Sequence, residues 1–249
     1  MSKYIKIYGQ RNTNTNYLSK LVNLNIKTEE LNGTVPEAIM KIQKYVPGNE
    51  GVRDAYFSLT YKRNLGWKHT RVKPVSELKS YSLLRRNRVC FVTITKNPYS
   101  WLLSLHRHPY HQYYRRKPDF ITFLERPWKT VRRSNCKRVV SNPIELWNQK
   151  NRSYLQLKKL DGINLTSKEI IKDPQAVMDE IADHFSLSKK TEKFLNYEQS
   201  TKKSDKDFAY YQDYYVNERW REKLPREAID IINRYVDTDL MAEFGFEVL

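Results

Sequence analysis

Tyr4-Ile5-Lys6-Ile7-Tyr8 alternates apolar and polar positions, the pattern of a strand. Gly9 breaks it, and a polar stretch follows: Gln10-Arg11-Asn12-Thr13-Asn14-Thr15-Asn16. Tyr17, Leu18, Leu21 and Val22 then recur at helical spacing. This predicts strand, polar loop and helix in succession. Val35-Pro36-Glu37 predicts the start of a second helix, residues 46–66 read as irregular, and Gly66-Trp67-Lys68-His69 falls on a short strand or loop. Val89-Cys90-Phe91-Val92-Thr93-Ile94 is a continuous apolar run, as in the middle of a parallel sheet. After Lys96, Asn97 supplies an N-cap and Pro98 a first helical residue, with Trp101, Leu102 and Leu105 at helical spacing beyond them.

From Arg107 to Arg138 cations and rings crowd together, predicting loops with one short helix near Asp119 to Glu125. Asn142-Pro143-Ile144-Glu145 repeats the order of cap, proline and acid, and opens a helix to about Lys159. Ile163-Asn164-Leu165 predicts another strand, and Asp173-Pro174 a helix ending near Phe185. Lys202 to Lys206 is a charged loop. The last 40 residues read as helical, with Pro225 starting one helix and Gly245 ending another. No repeat, low-complexity tract or linker divides the chain, so one domain over residues 1–249 is expected. Strands alternating with helices imply an α/β sandwich with a parallel sheet.

Composition narrows the ligand more than the fold. Hydrophobic residues make up 39% of 249, enough for a folded core. Lys and Arg number 45 against 28 acids, a net charge of +17 that points to an anionic partner. Nucleic acid, an anionic polysaccharide and a multiply charged nucleotide all satisfy it. Cys90 and Cys136 give neither metal spacing nor a disulfide framework, Cys90 lies in an apolar run, and a reducing compartment fits. No apolar leader precedes Tyr4 and no run reaches membrane-span length, so the expectation is a soluble, cytoplasmic protein.

Three constellations can carry chemistry. In the first, a polar loop leads from a strand into a helix N-terminus, whose free N–H groups suit a phosphate. Arg11 adds charge there, Thr13 and Thr15 add hydroxyls, and Asn14 suits a left-handed position. A plain capping loop is the alternative; a G-x-x-x-x-G-K triphosphatase loop is absent. In the second, Lys96 ends a strand, and Ser104 lies about two helical turns beyond Asn97, on the face of the helix entrance. One phosphate can meet Lys96 and Ser104 together. In the third, His69 beside Lys68 can act as a general base.

These segments, in this order, resemble the three signature sites of sulfotransferases that use 3′-phosphoadenosine 5′-phosphosulfate (PAPS), in a bacterial-type branch. Arg11 to Leu18, R-N-T-N-T-N-Y-L, resembles the 5′-phosphosulfate loop, commonly K-S-G-T-T-W or R-S-G-T-T. Lys68-His69 resembles the element that carries the catalytic base. Lys96 to Ser104 resembles the 3′-phosphate motif, an Arg and a Ser eight residues apart with the same N-P opening. Asp173-Pro174 and the terminal Phe244-Gly245-Phe246 extend the likeness along nearly the whole chain. The resemblance implies a three-layer α/β fold with a short parallel sheet, like that of P-loop NTPases. It implies sulfuryl transfer from PAPS to an acceptor hydroxyl without a metal. Arg11, Asn12, Thr13, Asn14, Thr15 and Asn16 with Lys96 and Ser104 would hold the donor. His69 would be the base, with Lys68 and Arg11 stabilising charge in the transition state. Four positions depart from the pattern: Asn14 replaces a loop Gly, Arg11 stands one place upstream of the usual cation, Lys96 replaces Arg, and Ser167 falls where a Tyr is usual.

Other features bear on partners. His106, His108 and His111 cluster in sequence, but no Cys or acidic pair completes a metal set, and an acceptor-side loop is the preferred reading. Tyr110 to Lys117 mixes rings and cations, which suits an anionic carbohydrate or glycolipid acceptor or a single-stranded nucleic acid. Lys202, Lys203 and Lys206 resemble in position the basic loop that closes over the donor. Three rival readings stand beside the enzyme: a basic nucleic-acid-binding α/β protein, a kinase-like nucleotide enzyme, which the missing Lys-Ser/Thr pair of a phosphate-binding loop disfavours, and a degenerate sulfotransferase fold that binds nucleotide without catalysis.

Overall fold

The computed structural model describes residues 3–45, 50–85, 88–112, 114–198 and 207–249. Lys202, Lys203 and Lys206 lie outside the described residues. In chain order the first half runs β1 (Tyr4–Gly9), α1 (Thr15–Asn25), β2 (Glu29–Glu30), α2 (Glu37–Tyr45), α3 (Gly51–Asn64), α4 (Val75–Lys79), α5 (Ser82–Arg85), β3 (Val89–Thr95) and α6 (Pro98–Arg107). The second half runs α7 (Phe120–Glu125), β4 (Trp128–Lys129), β5 (Val139–Val140), α8 (Pro143–Leu155), β6 (Ile163–Thr166), α9 (Ser167–Lys172), α10 (Pro174–His184), α11 (Phe208–Val216), α12 (Arg226–Tyr235) and α13 (Thr238–Glu243).

β1 and β3 pair in parallel, from Tyr4 opposite Val89 to Gly9 opposite Ile94. β6 joins the far side of β3 and β2 the far side of β1, all parallel, in the order β2-β1-β3-β6. Alternation along the strands sends side chains to two covered faces. Ile5, Ile7, Val92 and Ile94 pack under Leu18, Leu21 and Val22 of α1 and Val177, Met178 and Ile181 of α10. Tyr8 and Phe91 face the other way, against Leu78 of α4 and Tyr154 of α8. Helices therefore cover both faces of a parallel sheet, the three-layer α/β architecture expected from sequence. A third cluster joins Trp101, Leu102 and Leu105 of α6 to Trp147 of α8 and to Ile231, Ile232 and Met241 of the C-terminal helices.

Local signals act where they were read. Asn97 caps α6 by accepting from the Tyr99 N–H, and Asn142 caps α8 by accepting from the Glu145 N–H. Cys90 is buried on β3. The segment read as irregular is a correction: residues 51–64 form α3. Its inner face gives little apolar signal, because Asp54 and Asn64 are buried beside Phe57 while Leu59 is 86% exposed. The inner face is instead held by charge, with Asp54 accepting from the Arg133 guanidinium at 2.8 Å and from two main-chain N–H groups. Gly9 does not interrupt β1 but ends it, paired with Ile94. The basic segment contains a short antiparallel ribbon, Trp128 opposite Val140 and Lys129 opposite Val139, too brief to show alternation. Among the described residues no helix is long and apolar enough to cross a membrane.

Candidate functional site

All three constellations gather at the carboxyl ends of β1 and β3. The loop after β1 takes two residues through the left-handed region, Asn12 at φ 68° and Asn14 at φ 64°. Asn tolerates that region better than most side chains, which explains why it stands where Gly would serve. Asn14 precedes α1 without capping it through its side chain, and the first helical bond runs from the Leu18 N–H to the Asn14 carbonyl. Among the described residues no acceptor meets the N–H groups of the first turn, which suits them to another acceptor. Thr13 turns inward and donates to the Gln10 carbonyl at 2.6 Å, bracing the loop instead of offering its proton outward. Ser167, the first residue of α9, donates to the Thr13 carbonyl at 3.2 Å, and Trp101 on α6 donates to the Arg11 carbonyl at 2.8 Å. The Arg11 guanidinium lies 4.8 Å from the centre of the Tyr110 ring.

The Trp67-Lys68-His69 segment is irregular but tightly held. The Gly9 N–H donates to the Lys68 carbonyl at 3.0 Å, and the Lys68 ammonium donates to Asn16 at 2.5 Å. A side chain at position 9 would not fit: its Cβ would come within 2.6 Å of Ile94 Cγ2 and 2.7 Å of the Ile94 carbonyl. From residue 64 to residue 70 every carbonyl accepts a hydrogen bond. Lys6 on β1 serves Asn64 and Gly66, each at 2.6 Å, and Tyr8 serves Leu65. The Thr70 N–H serves Trp67. Lys150 and Tyr154 on α8 serve His69 at 2.7 Å and Thr70 at 3.1 Å. Lys6 is wholly buried, and burial lowers its pKa to about 7 against the partial support of Glu30.

The His69 ring meets the Gly9 carbonyl through Nδ1 at 2.6 Å. A carbonyl only accepts, so Nδ1 carries the proton and Nε2 keeps its lone pair. Burial, with Lys68, Arg11 and Lys150 adding repulsion, holds the imidazole well below its ordinary range despite the Gly9 bond. The ring is neutral near pH 7 and can accept a proton at Nε2.

Lys96 directly follows β3 at 3% exposure, and its ammonium donates to the Ser104 hydroxyl at 2.9 Å beneath the Tyr215 ring, 4.0 Å to the centroid. Among the described residues no carboxylate pairs with it. Burial, and then Arg107, lowers its pKa to about 7. A cavity of about 440 Å³ opens beside it, with Ser100, Ser167, Tyr215, Trp220 and Phe246 in its walls. The Ser100 hydroxyl is buried without a partner among the described residues.

The three adjacent histidines do not converge. His106 bonds the Pro118 carbonyl at 2.9 Å and packs on Phe120 and Phe123. His111 lies against Trp67 and Tyr110, with Glu50 at 3.4 Å. Among the described residues no group of three His, Cys, Asp or Glu side chains could hold a metal. Tyr110 and His111 thus border Arg11 and Trp67. Arg133 lies over the Trp67 ring at 4.8 Å, paired with Asp54 and Glu50.

Sequence reasoning did not find Lys6, Gly9, Lys150, Tyr154 or Tyr215. A polar residue amid apolar alternation was the available signal for Lys6, and a lysine on the inward side of an amphipathic helix for Lys150.

No family model matches the sequence, and no curated protein matches it. Among solved structures the chain is similar to the sulfotransferase domain from the Synechococcus PCC 7002 olefin synthase, at 14% identity over 94% of each chain with a TM-score of 0.40.

Proposed function

We propose that this chain is a sulfotransferase, moving a sulfuryl group from PAPS to an acceptor hydroxyl. One observation carries the reading: the buried Lys96 ammonium has a hydroxyl and a ring for company and no carboxylate among the described residues. A buried cation without counter-charge is costly unless an anion arrives. It stands at the end of β3, one strand from a loop that opens a helix N-terminus at the end of β1. Two anion sites on neighbouring strand ends, with a neutral histidine beside them, suit a donor bearing two separate phosphates.

The donor, when bound, supplies an activated sulfuryl group on a phosphate leaving group. Residues 12–16 and the first turn of α1 would hold the 5′ side, and Lys96 with Ser104 the 3′-phosphate. His69 Nε2 takes the acceptor proton as the acceptor oxygen bonds to sulfur and the bond from sulfur to the bridging phosphate oxygen breaks. The departing oxygen keeps the electron pair. Arg11 and Lys68 stabilise the negative charge that builds there. Arg115 and Arg116, exposed beyond α6, suit an anionic acceptor such as a carbohydrate.

Calorimetry with adenosine 3′,5′-bisphosphate and with AMP tests the donor site. The bisphosphate should bind much more tightly, and equal affinities would remove the 3′-phosphate assignment. Incubating purified protein with labelled PAPS and a panel of hydroxyl acceptors tests the reaction itself.

A further inference from the structure

Lys150 sits in the middle of α8 at 1% exposure. Its ammonium donates to the His69 carbonyl at 2.7 Å and lies 5.8 Å from the centre of the Trp67 ring. Among the described residues no carboxylate pairs with it. The buried face of a helix has no packing need for an ammonium, since Met would fill similar space without the cost of burying charge.

We propose that Lys150 is a positioning residue for His69, anchoring the main chain of the candidate base and holding a fixed positive charge beside its ring. This rests on the reading of His69 as the base. His69 is then gripped at two points, its ring by the Gly9 carbonyl and its main chain by Lys150. Two fixed points set the direction in which Nε2 faces, and catalytic groups need that direction held closely. The groups facing the ring are Lys68 from its own segment, Arg11 from the loop after β1, Lys150 from α8, the Gly9 carbonyl from β1, and the Trp67 ring edge at 5.0 Å. Three are cations and none is a carboxylate, so the ring is kept unprotonated and ready. Lys150 itself faces Arg11, Arg133 and the Cys136 thiol, and burial lowers it only to about 8, so it keeps its charge at neutral pH.

Three variants separate anchor from charge. Lys150→Arg keeps both, Lys150→Gln keeps a donor without charge, and Lys150→Met loses both. The readout is the ¹⁵N titration of the His69 imidazole in the ligand-free protein, assigned by its loss in His69→Ala, with melting to establish folding. The His69 midpoint should rise in the Gln and Met variants, which remove one of the positive charges that hold it low. It should stay within a few tenths of a unit of the parent in Lys150→Arg. Lys150→Met alone should lose the fixed Nδ1-protonated tautomer. Parent-like midpoints in folded Gln and Met variants overturn the proposal. So does failure of both neutral variants to fold while the Arg variant folds, which would make Lys150 structural only. An active His69→Ala protein would instead refute the base assignment and leave the titration result standing.

Discussion

Binding of adenosine 3′,5′-bisphosphate should draw a proton from solvent, and the proton should go to Lys96. In the free protein its pKa lies near 7, pushed down first by burial and then by Arg107. A bound phosphate favours the charged form and restores a pKa near the ordinary lysine range. The sign follows: a group protonated more in the complex than in the free protein takes up protons on binding, and affinity falls as pH rises above its free pKa. At pH 8 only about one-tenth of Lys96 is charged before binding, so uptake should approach about 0.9 proton per ligand. The same factor predicts affinity falling about 50-fold between pH 7 and pH 9, and flattening below pH 6.5. Calorimetry at pH 8 in phosphate-free buffers of different ionisation enthalpy reads the uptake directly. The second phosphate pKa of such ligands is near 6 and contributes little there. Lys96→Arg is the control, since a guanidinium stays charged throughout and should abolish the uptake while retaining binding. Lys6 and Lys150 titrate nearby, and subtracting the Lys96→Arg result removes their part. Equal uptake in the parent and in Lys96→Arg would refute the assignment, and no uptake in the parent would refute it too.

Four further outcomes are expected. His69→Ala should lower kcat by about 10²–10⁴-fold in labelled-PAPS transfer while binding adenosine 3′,5′-bisphosphate as the parent does; a folded, fully active variant removes His69 as base. Replacing Arg115 and Arg116 with Ala should raise the acceptor KM and leave donor affinity alone, and the reverse pattern would move these residues to the donor side. Gly9→Ala should destabilise the protein by about 1–3 kcal/mol through overpacking against Ile94, read as a lower denaturant midpoint. Lys6→Met leaves two buried carbonyls without a donor and should cost roughly 2–5 kcal/mol in the same assay; a cost below about 1 kcal/mol would mean the 64–66 turn is held by other groups.

The sheet and the helix starts were legible because they depend on local signals. Alternation marked β1, a continuous apolar run marked β3, and Asn-Pro pairs marked α6 and α8. The approach of Lys96 to Ser104 followed from helical spacing alone. What could not be read was everything that depends on partners distant in sequence. α3 hides its inner face behind Asp54, whose burial makes sense only once Arg133 is beside it. β2 consists of two glutamates, and its pairing is set by β1 and not by its own side chains. Lys6 looked like the polar half of an alternating strand, yet it is wholly buried because carbonyls near 60 positions away take its protons. Lys150 sat on the inward side of an amphipathic helix, but its partner, the His69 carbonyl, lies 81 positions away and could not be read locally.

The carbonyls of residues 64–70 have a consequence for when the candidate site comes into being during folding. All but Trp67, which the Thr70 N–H serves, take donors from far along the chain: Lys6 is 60 positions from Gly66, Lys150 is 81 from His69, and Tyr154 is 84 from Thr70. Beyond Asn64, which closes α3, the segment has no helix or ladder of its own, and the His69 and Thr70 carbonyls meet their donors only when α8 docks on the sheet. Contacts of such long separation carry the loop-closure cost of folding and form late. A nascent chain that has emerged only as far as β3 can build the β1–β3 pair and yet lack the α8 donors to the His69 and Thr70 carbonyls. The candidate site is therefore completed at the end of assembly, when α8 closes over a turn that β1 has already half secured.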